Sequence, residues 1–600
     1  MSTFHRVRVS GVAGLALVGA MLGATGSACK GDRITFEGSP PPFDNDDADA
    51  GACPFQCSLD GRSVIRSCNG EVVETCAADR ACGAAQCQEP CAAAAADRSS
   101  NGCDFYFQIP RYDGDKFDQS CLATFVVNTS IQPVEVKLEY EGKALDISSA
   151  LFRTNPGDAT LVRHAGPIQP GDSAILFVSD RDPTIPRIGP PNNPLRGRVG
   201  CPDGVVPALL AEIEGGTRIA SAMHLTTNVP VGLTAIYPFG GATSYIPTAT
   251  LFFPVPTWGK ENILVNGWEA NVARPGAQLF ASEDDTEITI VPTNDIQDGI
   301  GVAGTRAKVP VTYRLGKGQY LQLTQSDELS GSIVVSNNPI ATFGGHAAAD
   351  VPSGGAAADT MHQQIPPFEQ WGSEYVGVGY RPRLGNEHEP MAYRIVAARD
   401  GTELDYDPEI PPGAPTSMSA GEVATFRSGT GDAFVVRTQD AEHPIYLAAY
   451  MSSGASSFDG LSYSGSGDPE FVNVVPAGQY LSSYSFYADP SYGDASLVVV
   501  RAKTHGEFKD VWLECAGGNL TDFRPVGTRG DYEFTRVDLA KRGGPGQSFG
   551  DHVCRNGLQR AKSDGPFTAT VWGWDYASSY AYPGGMALRK LVQTPLVAVH

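Results

Sequence analysis

Basic residues are scarce in this chain. Its 600 residues include 44 Lys and Arg against 67 Asp and Glu, which gives a formal net charge of -23 at pH 7. Nucleic-acid binding needs a basic surface that neutralises phosphates, so this balance argues against a nucleic-acid partner. Long apolar runs are also missing. The stretch from Val12 to Leu22 is too short to span a bilayer, and no later segment is apolar enough.

Long helical patterns and recognisable catalytic motifs are missing as well. The sequence has no phosphate-binding loop and no Gly-x-Ser-x-Gly turn followed by a helix. The segment Glu387-His388-Glu389 lacks the His-Glu-x-x-His frame of zinc proteases, and we expect it to be a solvated turn. The chain is therefore predicted not to be an enzyme.

Cysteine, in contrast, is abundant and unevenly placed. One of the 13 cysteines, Cys29, ends a signal-like segment, and the other twelve form an even set. The spacings lack the paired C-x2-C knuckles of structural zinc sites, so we predict disulfides, an oxidising compartment and no metal. The disulfide candidates are Cys53, Cys57, Cys68, Cys76, Cys82, Cys87, Cys91, Cys103, Cys121, Cys201, Cys515 and Cys554.

The N-terminus supports export. Basic residues precede the apolar stretch at 12–22, and small residues at 23–28 lead to Cys29, which resembles the lipobox of bacterial lipoproteins. We predict a signal peptide over residues 1–29 and lipidation of Cys29. Ordinary cleavage nearby, which would leave a spare thiol, is the alternative. Lys30 stands where lipoproteins of the inner membrane often carry aspartate, so an outer-membrane or cell-surface location is favoured.

The chain after Cys29 divides by composition. Residues 30–52 are rich in Pro and Asp and are predicted to be a disordered linker. Residues 53–103 form a Cys-rich module that is too short for its own hydrophobic core. Seven of its cysteines lie at 53–91, so at least one must pair outside that stretch, and Cys103 is the nearest candidate. The Ala-rich stretch from Ala92 to Asn101 is expected to be a short linker.

From residue 104 to 600 the sequence is typical of an all-β protein. Short runs of β-branched and aromatic residues are bounded by Gly, Pro, Asp or Asn, and some alternate apolar with polar residues. Two motifs recur. Trp-Gly-x-Glu stands at Trp258 and Trp371, and Asp-x-Thr-Glu at Asp284 and Asp400 is expected to be a hairpin turn.

A third recurrent motif sets the size of the repeat. Pro230, Pro339, Pro444 and Pro566 each precede an apolar run, and we expect each proline at the first residue of a strand. We therefore predict antiparallel β-repeat units near 104–245, 246–355, 356–466 and 467–600. They can be sandwich-like units in a row or propeller-like units in a closed ring, and the sequence leaves both open.

Three stretches, 337–352, 359–376 and 467–480, together with Trp258-Gly259, resemble the IgGFc-binding protein N-terminal domain. That family occurs at the head of a mucus-associated animal protein and in exported bacterial proteins. The resemblance implies a β-rich body that binds a partner at a surface. The family has cysteines where this chain has Ala348 and Ala358, so the resemblance also implies a disulfide that is lost here.

Few residues are candidates for a metal or a ligand. His346, Asp350, Asp359 and His362 fall in a Gly/Ala-rich segment that we interpret as a surface loop rather than a metal or general-base site. Calcium is an alternative at the acidic runs 283–285 and 44–49, where turn capping and a disordered tether are the simpler interpretations. No cofactor is predicted.

Aromatic residues raise the question of glycan stacking. Trp258 and Trp371 recur in register and are expected in the core. Trp572, Trp574 and Tyr576 alternate along one strand face and are either core residues or an exposed platform.

The sequence thus predicts an exported lipoprotein that binds an extracellular protein or glycan partner and meets the membrane through its lipid. The alternatives are a secreted hydrolase that acts on polysaccharide, with paired carboxylates across a cleft, and a purely structural envelope protein.

Overall fold

The computed structural model describes residues 53–58, 60–113, 118–185, 198–243, 246–354, 357–455, 458 and 460–596. The prediction of an all-β protein with a small disulfide-rich module in front is confirmed. Within these ranges no helix has the length and apolar content needed to cross a membrane. Cys29, the linker 30–52 and the acidic run 44–49 lie outside the described residues.

The Cys-rich module consists of short elements joined by disulfides. Its elements are β1 (Phe55–Cys57), β2 (Ser63–Arg66), β3 (Val72–Thr75), β4 (Ala81–Gly83), β5 (Gln86–Gln88) and α1 (Pro90–Asp97). Strands β1, β2 and β3 form one sheet, and β4 pairs with β5. Three disulfides join these elements to one another: Cys53–Cys68, Cys57–Cys82 and Cys76–Cys87. These bonds replace the hydrophobic core that so short a segment cannot build.

The stretch expected to be a linker is largely a helix, so that prediction was wrong. Helix α1 contains a run of alanines, the best helix formers, with Pro90 in its first turn. The side chain of Glu89 caps it by accepting a hydrogen bond from the backbone N of Ala92 at 3.0 Å. A disulfide between Cys91 and Cys103 ties the helix to the first strand of the β body.

Strand pairing divides residues 101–583 into four β groups, which we number in chain order. The first contains β6 (Asn101–Phe107), β7 (Leu122–Asn128), β8 (Val136–Tyr140), β9 (Lys143–Ala144), β10 (Leu151–Asn155), β11 (Asp158–Arg163), β12 (Ser173–Asp180), β13 (Leu209–Leu210), β15 (Met223–Tyr237) and β16 (Thr248–Leu251). The second contains β14 (Arg218–Ser221), β17 (Gly259–Ile263), β18 (Pro275–Ala281), β19 (Thr286–Val291), β20 (Val311–Leu315), β21 (Gln319–Thr324), β22 (Ile333–Ala349) and β23 (Asp359–Ile365).

The third and fourth groups complete the body. The third is a pair of four-stranded sheets, with β24 (Glu374–Gly377), β26 (Thr402–Asp407), β27 (Ser417–Met418) and β29 (Phe434–Thr438) in one and β25 (Pro390–Ala397), β28 (Val423–Gly429), β30 (Ile445–Met451) and β31 (Glu470–Asn473) in the other. The fourth contains β32 (Leu481–Ala488), β33 (Asp494–Ala502), β34 (Val511–Leu513), β35 (Gly518–Asn519), β36 (Arg524–Val526), β37 (Tyr532–Lys541), β38 (Gly544–Pro545), β41 (Gly557–Asp575) and β42 (Ser578–Pro583). A separate hairpin pairs β39 (Ser548–Phe549) with β40 (His552–Val553).

Disulfides also staple the first and fourth groups. Cys121, just before β7, is bonded to Cys201, and Cys515 is bonded to Cys554, just after β40. Each bond therefore lies within a single group, Cys121–Cys201 in the first and Cys515–Cys554 in the fourth. The twelve cysteines predicted to pair are thus joined in six disulfides.

The four groups meet through the last strand of each. Strand β16 contacts β23 and β42, and β31 contacts the same two strands, so these four closing strands, which we call the hub, form a ring. Every residue of the four strands is buried. Within the described part of the chain the fourth group therefore closes on the first, as the propeller-like alternative requires.

Side chains in the hub bind the backbone of neighbouring groups. The Gln363 amide donates to the carbonyl oxygens of Ala249 at 2.8 Å and Ala581 at 3.0 Å, and so joins three groups. The Asn473 amide donates to the carbonyl oxygen of Gln364 at 2.8 Å. A buried polar group without a partner costs about 1–3 kcal/mol, so these bonds fix which strand lies next to which.

The recurrent prolines lie mostly inside long strands, so the expectation that each begins a strand was wrong for three of the four. Pro230, Pro339 and Pro566 stand within β15, β22 and β41 at a shift of pairing register. On one edge of each long strand the same partner continues past the proline with a shifted register, and on the other edge the partner changes, as where β22 pairs with β19 and then with β18. Pro444 alone directly precedes its strand, β30. Proline lacks the N–H that a ladder needs, which suits it to a bulge.

The Asp-x-Thr-Glu segments are turns but not hairpins, so that prediction was also wrong. Strands β18 and β19 flank the segment at Asp284 and both pair with β22 instead of each other. Strands β25 and β26 flank the segment at Asp400 and belong to different sheets. The first segment therefore joins two strands that pair with the same strand, β22, and the second carries the chain from one sheet to another.

The repeated Trp-Gly motif marks a joint between consecutive groups. Short 3-10 helices follow Pro254, Pro367 and Pro476 at Val255–Thr257, Phe368–Gln370 and Ala477–Gln479. Trp258 and Trp371, which come next, are buried as expected, and their indole N–H groups donate to carbonyl oxygens five residues earlier at 3.0 and 2.9 Å. The glycine after each Trp lies against the proline that starts the next group.

We expect Gly372→Ala to lower the free energy of unfolding by about 1–3 kcal/mol, because overpacking forces neighbouring atoms apart. A Cβ at Gly372 would lie 2.4 Å from the Cβ of Pro476. Gly518→Ala is the matched control, since no atom lies within 4 Å of a Cβ there. Denaturant unfolding of both variants measures the difference. Equal stability of the two variants would contradict the role of this joint.

Candidate functional site

The two histidines singled out in the sequence are buried in paired strands, not in a surface loop, which corrects that expectation. His346 lies in β22, and His362 lies opposite Gly345 on β23. Burial lowers the pKa of each imidazole to about 3. The Nδ1 atom of His362 lies 2.8 Å from the Tyr112 hydroxyl, and its ring stacks on Phe343. Both rings are therefore neutral packing residues.

Asp350 and Asp359 are buried as well, at the two ends of the connection between β22 and β23. Across the part of the chain that the structure describes, no three His, Cys, Asp or Glu side chains come together as metal ligands. At the acidic run 283–285, the Asp284 carboxylate accepts a hydrogen bond from the backbone N of Lys317 at 2.9 Å. That bond gives the run a turn-capping role.

Carboxyl groups concentrate at the start of the hub strands. Asp359 begins β23, Glu470 begins β31, and Asp468 stands two residues before Glu470. Burial raises the pKa of Asp359 well above its ordinary value, and the charges of Asp468 and Glu470 raise it further. Burial also raises the pKa of Glu470, and that of Asp468 to about 7. Since all three are buried, a polysaccharide does not reach them.

We expect Asp468→Asn to change how stability depends on pH. Between about pH 4, the pKa of an unfolded Asp, and pH 7, the folded protein holds a proton that the unfolded chain has lost. The Asp468 contribution to the free energy of unfolding is therefore present at low pH and falls as pH rises. The variant cannot ionise there, so its stability relative to wild type should rise by about 2 kcal/mol from pH 5 to pH 8.

Denaturant unfolding at the two pH values measures this difference. Asp551→Asn is the control, because that side chain is exposed. If the stability of Asp468→Asn relative to wild type does not change with pH, then Asp468 does not hold this proton in the folded protein.

Loops next to the hub carboxyls form a cluster, which we define as the described residues of 381–389, 452–467 and 575–577. A buried guanidinium, that of Arg383, holds it together. Arg383 donates to Glu389 at 2.7 Å and to the carbonyl oxygens of Ser452 and Ser466 at 2.9 Å each. Its guanidinium lies 3.9 Å from the centre of the Tyr463 ring. Glu389 is thus buried and paired, and the expectation of a solvated turn holds only for its exposed neighbours at 387 and 388.

Backbone contacts connect the turn at 575–577 to the same cluster. The N–H of Gly467 donates to the carbonyl oxygen of Asp575 at 2.8 Å, and that of Ala577 donates to Gly465 at 2.6 Å. Gly465 has a φ of +74°, and a Cβ there would lie 2.6 Å from the ring of Tyr576. A glycine at this position therefore admits both the backbone conformation and the aromatic ring.

Three large apolar side chains of the loop cluster face solvent. Tyr576 is 67% exposed, Leu384 is 61% exposed and Leu461 is 55% exposed. Trp572 and Trp574, four and two residues before Tyr576, are buried, so the platform alternative fails for the tryptophans. Only the tyrosine emerges, because the strand ends at Asp575 and the turn begins. No sequence pattern indicated Leu384 and Leu461, whose exposure depends on the loops around them.

The fold and this site define a class of protein: a disulfide-stapled antiparallel β body whose buried polar hub supports loops with exposed apolar side chains. The sequence profile of the family described as IgGFc binding protein matches residues 248–573, from the first residue of β16 to β41. The chain belongs to this family, and the resemblance noted in the sequence is confirmed. No curated protein and no solved structure matches the chain.

The structure also locates the two alanines that the resemblance singles out. Ala348 and Ala358 lie in the same small apolar cluster, together with Tyr112. They directly precede Ala349 and Asp359, which pair with each other where β22 and β23 are connected, and the resemblance places a lost disulfide there.

Proposed function

We propose that this protein is an exported binding module whose loop cluster contacts an extracellular protein partner. The observation that carries the proposal is the exposure of Tyr576, Leu384 and Leu461 on loops that are held by buried bonds. Membership of a family named for binding supports a binding role over a catalytic one.

The physical argument rests on where binding energy concentrates. In protein interfaces a few aromatic and apolar anchors contribute most of the affinity, and Tyr is enriched among them. Anchors on a rigid scaffold lose little conformational entropy on binding. Arg383 and its partners supply that rigidity, because each donor of a buried guanidinium must keep its acceptor.

The family name suggests the first partner to test. It names the Fc region of immunoglobulin G, and the three exposed side chains would be the contact residues for such a protein. The stretch 30–52 would act as a tether between the body and a membrane, and lipidated Cys29 would anchor it at the outer membrane or cell surface. We also propose that the repeat units of the β body meet near residues 245, 355 and 466.

We expect Tyr576→Ala to weaken partner binding about 30-fold, which corresponds to the loss of about 2 kcal/mol at a hot spot. Surface plasmon resonance with immobilised immunoglobulin G Fc and with immobilised mucin measures the affinity of the full exported chain. Ile300→Ala, at an equally exposed apolar residue of the second group, is the matched control. Binding to neither protein, or equal binding by both variants, would contradict the proposal.

The anchor is tested separately. In wild-type protein the N-terminal peptide should begin at Cys29 and carry a diacylglyceryl group, and the protein should partition into detergent. Cys29→Ser should abolish the lipid and shift the protein to the aqueous phase. Mass spectrometry of the N-terminal peptide measures both, and an unmodified N-terminus elsewhere in wild type would refute the anchor.

A further inference from the structure

Trp512 differs from every other tryptophan of this chain. The other five, at positions 258, 268, 371, 572 and 574, are buried, with at most 6% of their surface exposed. Trp512 is partly exposed on strand β34, between the buried residues Val511 and Leu513. Since side chains alternate along a strand, Val511 and Leu513 face the core and Trp512 faces away from it.

Polar side chains surround Trp512 on the same face of the sheet. Asn519 on β35 and Lys562 on β41 lie directly opposite it on the two neighbouring strands. Residues directly opposite in a ladder share a face, and so do residues two apart on one strand. That places Asp510 beside Trp512 and Asp564 beside Lys562.

Together with Phe508, these side chains line a cavity of about 600 Å³. The volume falls in the range of small-ligand sites, and a concave site of this kind suits a small ligand better than the flat surface of a protein. The Lys562 ammonium lies 5.3 Å from the centre of the Trp512 ring. The Asn519 amide donates to the Asp510 carboxylate at 2.9 Å, which orients both groups.

The charges of the lining select among ligands. Lys509 and Lys562 contribute two positive charges, and Asp510 and Asp564 contribute two negative ones, so the formal charge of the lining sums to zero. A phosphate or sulfate group would meet two carboxylates, and a purely apolar ligand would leave four charged groups desolvated. A ligand with an apolar face and many neutral hydroxyl groups satisfies the site.

A pyranose ring has this chemistry. Its axial C–H bonds form an apolar face that stacks on an indole, and its hydroxyl groups donate to carboxylates and accept from amides and ammonium groups. We propose that the pocket around Trp512 binds a neutral sugar residue of a glycan. The ring stacks on Trp512, and Asp510, Asn519 and Asp564 bind its hydroxyl groups. This site shares no residue with the loop cluster, so the protein would have two separate binding sites.

The test uses the full exported chain on an array of immobilised oligosaccharides of glucose, galactose, mannose and N-acetylhexosamines, with sialylated and sulfated glycans for comparison. Wild type should bind at least one neutral glycan. Trp512→Ala and Asn519→Ala should reduce that signal at least tenfold, and Tyr576→Ala should leave it unchanged. Thermal unfolding confirms that each variant is folded.

Tryptophan fluorescence gives a second measurement in solution. The soluble form of the bound oligosaccharide should shift the emission of wild type, because only Trp512 is open to solvent, and Trp512→Phe should abolish the shift. The proposal is overturned if no neutral glycan binds, if only charged glycans bind, or if the neutral glycan still binds Trp512→Ala. Because Tyr576→Ala affects only the protein partner, failure of one site is distinguishable from failure of the other.

Discussion

The arrangement of this protein depends on polar side chains that are buried between the four closing strands. Gln363 joins β23 to the carbonyl groups of β16 and β42, and Asn473 joins β31 to β23. Apolar packing alone would tolerate several relative positions of these strands. A buried amide does not, because misplacing the facing carbonyl leaves both groups without partners in a low-dielectric interior. The hub thus specifies one arrangement of the four groups.

The positions of the loops depend on this arrangement of the closing strands. The closing strands begin at or near Asp359, Asp468 and Ser578, so the connections that lead into them start from a fixed frame. Arg383 extends the frame into the loop cluster through four acceptor atoms on three residues, Glu389, Ser452 and Ser466. Tyr576 is held out to solvent because the residues on either side of it are fixed: Ala577 is hydrogen-bonded to Gly465, and Asp575 to Gly467. Exposure of apolar side chains on such loops is a typical property of binding surfaces.

Much of the fold was predictable from local patterns. Alternation and turn residues indicated antiparallel β structure, and the recurrence of Trp-Gly indicated a repeated joint, which Gly259 and Gly372 form by packing against Pro367 and Pro476. The odd number of cysteines at 53–91 indicated a bond to the outside, and Cys91 makes it with Cys103. The errors have a common cause. A proline or an Asp-x-Thr-Glu turn shows that the chain bends or a ladder shifts, but not which strand lies alongside, because pairing in this fold is between residues far apart in sequence.

The site was less predictable than the fold, for a related reason. By itself the sequence determined a disulfide-bonded, all-β member of its family, since composition, cysteine parity and the order of short motifs are properties of the chain alone. Only the tertiary structure decided that His346, Asp359 and His362 are buried and that Trp512 is partly exposed while Trp572 is buried. A period of two shows which residues share a face of a strand. Whether that face meets solvent or another sheet depends on what packs opposite, and distant parts of the chain supply it.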